Sequence, residues 1–347
     1  MMGPRIIKNI LRKKLHGLGV LMVRITSPLW VRVFRFIART GAGTDTCLRH
    51  GFLPLPVHYH SPVPDLDDLE QRQVWDKKSG LPGIDFRADE QVRLLRELGE
   101  QFGAECDWPA APTGKPFAFH TENNSFSFGC AASLHCLIRH FKPARIFEIG
   151  SGNSSLVISS ALTRNQADGS PPRGRRGQAD GSPGEYVIID PFPHPVTGKG
   201  LPGLTAVKKE RVELTDISYF QQLRENDILF IDSGHTVRTG GDVNFLFLEI
   251  LPRLAPGVIV HVHDIDLPYE YQKVYFTNPG FRMFWTEAYL LQAFLCFNSQ
   301  FEILLAMAYL MTDKKDEFSR AFTHYDPTKQ KAISGSFWMR RMPNRAL

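Results

Sequence analysis

The sequence is short of the features that mark several protein classes. It has only five cysteines, Cys47, Cys106, Cys130, Cys136 and Cys296, and no two share the C-x-x-C spacing. That excludes a disulfide framework or a zinc ribbon and fits a reducing, cytoplasmic setting, with each thiol read as a small buried apolar group. Long apolar runs are also missing. In the basic, apolar segment 1–40 the longest stretch without Lys, Arg, Asp or Glu is "LHGLGVLMV" (15–23). A membrane span needs about 20 mainly apolar residues, and Arg24, Arg32 and Arg35 interrupt this one. No small-residue cleavage site follows, so a signal peptide is not indicated. Peripheral membrane contact through residues 1–40 is admitted as an amphipathic helix, beside an oligomer contact or a loose arm. Outside this arm no basic face with interleaved aromatics occurs, so a nucleic-acid partner is not expected.

Hydrophobic residues make up 43% and charged residues 22% of the 347 positions, and the net charge is +5. This composition suffices for a sizeable core. Three regions are expected: a basic arm at 1–49, a Pro-rich lid and helical extension at 50–115, and the main domain at 116–342. In the extension, Val92, Leu94, Leu95, Leu98 and Phe102 have partial helical spacing. His58 and His60 are candidate ligands, with a structural role favoured.

From residue 130 the pattern turns regular. "CAASLHCLIRH" (130–140) predicts a helix. "RIFEIG" (145–150), "EYVIID" (185–190), "LTAVKKERV" (204–212), "DILFID" (227–232) and "GVIVHVHD" (257–264) predict strands, with helices between them. Two further strands are expected at 301–310 and 334–342. The alternation predicts an α/β fold with a doubly wound, mostly parallel sheet, Rossmann-like, its strands covered on both faces. One segment departs from it. "QADGSP" occurs at 166–171 and again at 178–183, and residues 166–185 predict a disordered insertion.

Ligands of such sheets bind beyond the carboxyl ends of the strands, at the switch point. There the first strand ends in "EIGSGNSS", with Glu148, Gly150, Ser151, Gly152, Asn153, Ser154 and Ser155. Gly150 and Gly152 permit a tight turn, and Ser154 and Ser155 open a helix whose N–H groups face a ligand. The second strand ends in Asp190, a carboxylate able to accept from both ribose hydroxyls. The fourth ends in Asp232, followed by His235, and the fifth in His263 and Asp264. A dinucleotide fingerprint would need a third glycine where Ser155 stands. This disfavours an NAD(P)-dependent oxidoreductase, which is kept as an alternative beside a non-catalytic cofactor-binding protein.

"FEIGSGNSS", "VIIDPFP", the run from "DILFIDSGHTV" to "GVIVHVHDI", and "FWTEAYLLQAFL" together resemble class I S-adenosylmethionine-dependent methyltransferases, over roughly 116–342. The nearest branch is the small-molecule O-methyltransferase-like one. The resemblance implies a seven-stranded sheet ending in a reversed hairpin. It implies that 148–155 cradle the methionine part of the cofactor, with Glu148 and Gly150 closest, that Asp190 holds the ribose, and that 210–217 lie near the adenine. Asp232 is placed with the cofactor-binding residues. His235 is the expected general base, since its ordinary pKa lies near working pH. Asp264 and His263 complete the catalytic candidates.

Catechol-type relatives carry a lysine at His235 and bind magnesium through an aspartate matching Asp232 and an Asp-Asn pair. Here the pair is Asp264-Ile265, and isoleucine cannot ligate. Asp232, His235 and Asp264 stay as candidate ligands of a divalent ion completed by water. His261 is expected to be a core histidine. The segment with Tyr269, Tyr271, Trp285 and Glu287 borders the acceptor, a small molecule or glycan, in the family it resembles; its aromatics are read equally as stacking on that acceptor or as core.

Overall fold

The computed structural model describes residues 4–169, 184–280, 282–330 and 332–343. The chain forms two compact units, Met1–Arg72 and Gln73–Leu347.

The first unit is dominated by one helix, Pro4–Thr40. Pro28 lies inside it and has no N–H for the carbonyl of Arg24. The Ser27 hydroxyl donates to that carbonyl instead, at 3.0 Å. A short helix, Leu66–Gln71, follows in the Pro-rich segment. Asp65 caps it by accepting from the N–H groups of Asp67 and Asp68. His58 and His60 are exposed and face one another.

The second unit is built on a seven-stranded sheet: β1 (Arg145–Ile149), β2 (Glu185–Ile189), β3 (Ala206–Lys208), β4 (Ile228–Ile231), β5 (Ile259–Val262), β6 (Phe301–Ala306) and β7 (Phe337–Arg341). The order is β3-β2-β1-β4-β5-β7-β6. The first five are parallel, and β7 runs antiparallel to both β5 and β6. The chain winds outward from β1 to β3 and then restarts beside β1 with β4. The switch point therefore lies between the ends of β1 and β4. All four residues of β4 and all four of β5 are buried, as the apolar runs with helices on both faces require. Helix Phe128–Phe141 packs against helix Asn153–Ala167. Val157, Ile158 and Ala161 of the latter are 0% exposed. Burying a branched aliphatic of this size contributes roughly 1.5–3 kcal/mol.

Three observations bear on these expectations. First, the compact units divide at 72/73. Helix Ala88–Phe102 belongs to the sheet unit: it buries Leu95 and Leu98, and Gln91 accepts from the N–H of Ala306 at 2.8 Å. It packs against β6 at the edge of the sheet. Second, the strand expected over 301–310 stops at Ala306, where its pairing with Phe337 of β7 ends, and Met307–Thr312 is helical. A continuous apolar run does not distinguish the two states. Third, at the edges of the expected insertion 166–185, Gln166 and Ala167 end a helix and Glu185 begins β2. The rest of it, 170–183, lies outside the described residues.

Candidate active site

The turn after β1 is shaped by Gly150. Its φ is 86°, and a Cβ there would lie 2.2 Å from the carbonyl oxygen of Asp232 at the end of β4. Only glycine lets the two strand ends approach this closely. Gly152 differs. Its φ of 166° is ordinary extended backbone, and a Cβ would meet nothing within 4 Å. It leaves open space before the helix Asn153–Ala167.

The carboxylate of Glu148 is 0% exposed. Ser154 donates to it at 2.6 Å, Ser155 at 2.9 Å, and the Tyr186 hydroxyl also donates to it. Ser155 in turn accepts from the N–H of Gly152 at 3.1 Å. Glu148, Ser154 and Ser155, expected among the cofactor-binding residues, form a hydrogen-bonded set beneath the turn. Burial raises the Glu148 pKa to about 7, against the lowering pull of these hydroxyls.

The outer residues of the turn face Asp190. Its carboxylate accepts from the Ser151 hydroxyl at 2.6 Å and from the N–H of Phe192 at 2.7 Å. The Asn153 amide donates to Ser125 at 2.8 Å, tying the turn to the segment before helix Phe128–Phe141.

The ends of β4 and β5 bring Asp232, His235 and Asp264 together. His235 and Asp264 both have φ 55°, an uncommon conformation for side-chain-bearing residues. Nε2 of His235 lies 3.2 Å from Asp232 and 3.6 Å from Asp264. Its Nδ1 lies 2.8 Å from Glu287, whose carboxylate is 0% exposed. The helix Glu287–Leu295 is held to the same turn, because the carbonyl of His235 accepts from the N–H groups of Thr286 and Glu287. Trp285 packs on the imidazole with ring centres 4.6 Å apart.

Burial alone would lower the His235 pKa. Hydrogen bonds to Asp232 and Glu287 outweigh it and raise the value well above the ordinary one. Burial would raise the Asp232 pKa, but the charges of His263 and His235 and the His235 hydrogen bond hold it at about 2.

His261 is the expected core histidine. It is 0% exposed, 3.0 Å from the Ser336 hydroxyl, and stacked on Phe230. Burial pushes its pKa well below the ordinary value. His263 stacks on Phe126 and, with Asp264, lines a cleft of about 480 Å³. Glu122, Tyr275, Lys329 and Gln330 are also on that lining. A larger recess of about 750 Å³ beside β6, lined in part by Arg87 and Glu302, contains none of the expected site residues. Of the expected acceptor-side aromatics, Tyr271 is core and accepts from the N–H of Ala288 with its hydroxyl, while Tyr269 bonds Asp313 away from the cluster. Glu287 was expected beside the acceptor and not as the partner of His235, and Tyr275 was not singled out. The signal for Glu287 was its place as the lone charge in "FWTEAYLLQAFL".

The sheet order, with its antiparallel β7 between β5 and β6, defines a doubly wound, Rossmann-like α/β fold. Residues 147–265 match the profile of a family described as a methyltransferase domain. Over those residues, about a third of the chain, it is similar to methyltransferase domains. An uncharacterised protein of Archaeoglobus fulgidus is 26% identical over 180 residues, spanning 50% of this chain and 75% of its own length.

Among solved structures, one similar chain is the O-methyltransferase TomG of Streptomyces achromogenes, involved in tomaymycin synthesis and solved with SAM. It is 15% identical, with 73% of this chain and 90% of that chain covered and a TM-score of 0.36. Another is the SAH-bound Podospora anserina methyltransferase PaMTH1, also 15% identical, with 84% and 100% covered and a TM-score of 0.36. The fold assignment rests on the sheet order itself and not on these two likenesses.

Proposed function

We propose that the protein transfers the methyl group of S-adenosylmethionine to a hydroxyl of a small molecule or glycan, with His235 as general base. The observation that carries this reading is the buried hydrogen bond from Nδ1 of His235 to Glu287, 2.8 Å long. It fixes the tautomer and directs Nε2 toward the rim, as a positioned base requires. In this reading the turn 150–153 receives the methionine part and Asp190 the ribose hydroxyls. The carboxylates of Asp232 and Asp264 give the rim a negative field that suits a sulfonium cation. The acceptor enters the cleft beside Asp264. Phe126 and Tyr275 offer ring faces there, and Glu122, Lys329 and Gln330 offer partners for hydroxyl groups. The acceptor oxygen takes the methyl group, its proton passes to Nε2 of His235, and S-adenosylhomocysteine leaves with the electron pair of the broken C–S bond.

A second reading concerns a metal. The ligand atoms of Asp232, His235 and Asp264 lie within 4.8 Å of one another. Two carboxylates and an imidazole fit a hard divalent ion such as magnesium, which keeps several waters. Ile265, 1% exposed, adds no donor. When bound there, the ion would polarise the acceptor oxygen, and His235 would be a ligand and not the base.

The test is calorimetric titration with S-adenosylhomocysteine and, separately, NAD, with and without chelator. It is joined to a labelled-methyl assay on a panel of phenolic and sugar acceptors. The main reading expects binding of S-adenosylhomocysteine by the native protein and by His235→Ala, with transfer lost only in the variant. Binding of NAD instead would overturn it in favour of hydride chemistry. Loss of transfer on chelation, restored by magnesium, would favour the second reading.

A further inference from the structure

We propose that the helix Pro4–Thr40 is an interfacial anchor that lies on anionic membranes without crossing them. None of residues 17–40 is buried, and Met22, Leu29 and Phe36 are each more than half exposed. An apolar helix this exposed calls for a covering surface. By length and composition, Gly17–Thr40 would suffice to cross a bilayer. The placement of charge points to the other arrangement.

At about 100° per residue, Arg24, Arg32, Arg35 and Arg39 fall within an arc of about 80°. Met22, Leu29, Trp30, Val33 and Phe36 lie on the remaining face. A spanning helix would bury Arg24 and Arg32 near the middle of the hydrocarbon, where charge is costly. A helix in the interface plane keeps the arginine stripe at the headgroups while the broad apolar face enters the acyl boundary. The partner's sign follows from the same stripe. No Asp or Glu precedes Asp45, whereas Arg5, Lys8, Arg12, Lys13 and Lys14 precede the stripe. Each basic residue near an anionic surface strengthens binding about fivefold. The apolar face is also wider than the a/d seam of a two-stranded coiled coil, which favours a lipid surface over a second helix.

The test uses the full chain and vesicles of phosphatidylcholine, with and without phosphatidylglycerol. The expected result is binding at least tenfold tighter to the anionic vesicles, weakened by salt, and release by alkaline carbonate. A variant with Arg24→Gln, Arg32→Gln, Arg35→Gln and Arg39→Gln should lose most of the preference. Leu29→Glu with Val33→Glu should lose binding to both vesicle types. Circular dichroism confirms that each variant keeps its helix content. Equal binding to both vesicle types, or none, would overturn the proposal. So would resistance to carbonate extraction, which marks a spanning helix, or self-association that hides the helix and abolishes vesicle binding.

Discussion

His235 and Glu287 are 52 positions apart in the chain, yet Nδ1 of one lies 2.8 Å from Oε2 of the other, in a region closed to solvent. The pair sets the chemistry of Nε2. Asp232 and Glu287 favour the imidazolium, so the ring must lose its proton before it can act as a base. We expect kcat/KM to rise with pH through a value above the ordinary histidine pKa of about 6.5. His235→Ala should lower kcat by about 10²–10⁴ and remove that limb. Glu287→Gln deletes one of the stabilising anions, so the limb should move to lower pH. A limb unchanged in both variants would show that another group titrates.

Asp190 has two hydrogen bonds within the protein, from Ser151 and Phe192, and remains partly exposed at the rim. A ribose diol would add charge-assisted bonds worth about 1.5–3 kcal/mol each. Asp190→Ala should therefore weaken S-adenosylhomocysteine binding by roughly 100-fold or more, with little change in unfolding temperature. Calorimetry gives the binding, and a thermal scan controls for the fold. Undiminished affinity would remove Asp190 from the cofactor site.

The two glycines of the turn make separable predictions. Gly150→Ala places a methyl group 2.2 Å from a backbone oxygen at φ 86°. The left-handed conformation alone costs about 1–2 kcal/mol, and the clash adds to it. We expect the melting temperature to fall by at least about 4 °C, at roughly 2–4 °C per kcal/mol for a domain of this size. Gly152→Ala has open space and ordinary φ, so stability should hold while cofactor affinity falls, because the added methyl occupies the open space before the helix. Equal melting temperatures for both variants would contradict the geometry.

These contrasts show what could be read from the residues alone. The apolar run 228–231 closed by Asp232, and the run 259–262 followed by His263 and Asp264, announce buried parallel strands with polar ends. Parallel strands deliver those ends to one rim, so the approach of Asp232, His235 and Asp264 to one another was legible. The partner of His235 was not, because nothing local links Glu287 to a turn 52 positions earlier. Glu148 shows the opposite limit. An acid at a strand end looks like a ligand contact, but Tyr186 on β2 and two serines of the turn take up its carboxylate. Alternation along a strand gives a side chain's face and not its partner. The end of β6 was hidden for a related reason, since the apolar run 301–310 suits a buried helix as well as a strand.

Glu148 also yields a stability prediction whose sign can be worked out. Burial raises its pKa from an ordinary 4.5 to about 7 in the fold. A carboxyl whose pKa is raised on folding contributes stability that is fully present below the unfolded value and is lost as pH climbs through the folded one. The window therefore runs from about pH 4.5 to 7, and the difference corresponds to about 3 kcal/mol at most. Glu148→Gln keeps the shape, and its amide still accepts and donates among Ser154, Ser155 and Tyr186, but it does not ionise. Between pH 5 and 8 the native protein should lose stability from this group while the variant does not. Urea unfolding at both pH values measures this. A smaller decline in the variant supports the assignment. Parallel declines would mean that the three hydroxyls stabilise the carboxylate as well as water does, and that Glu148 is ionised throughout.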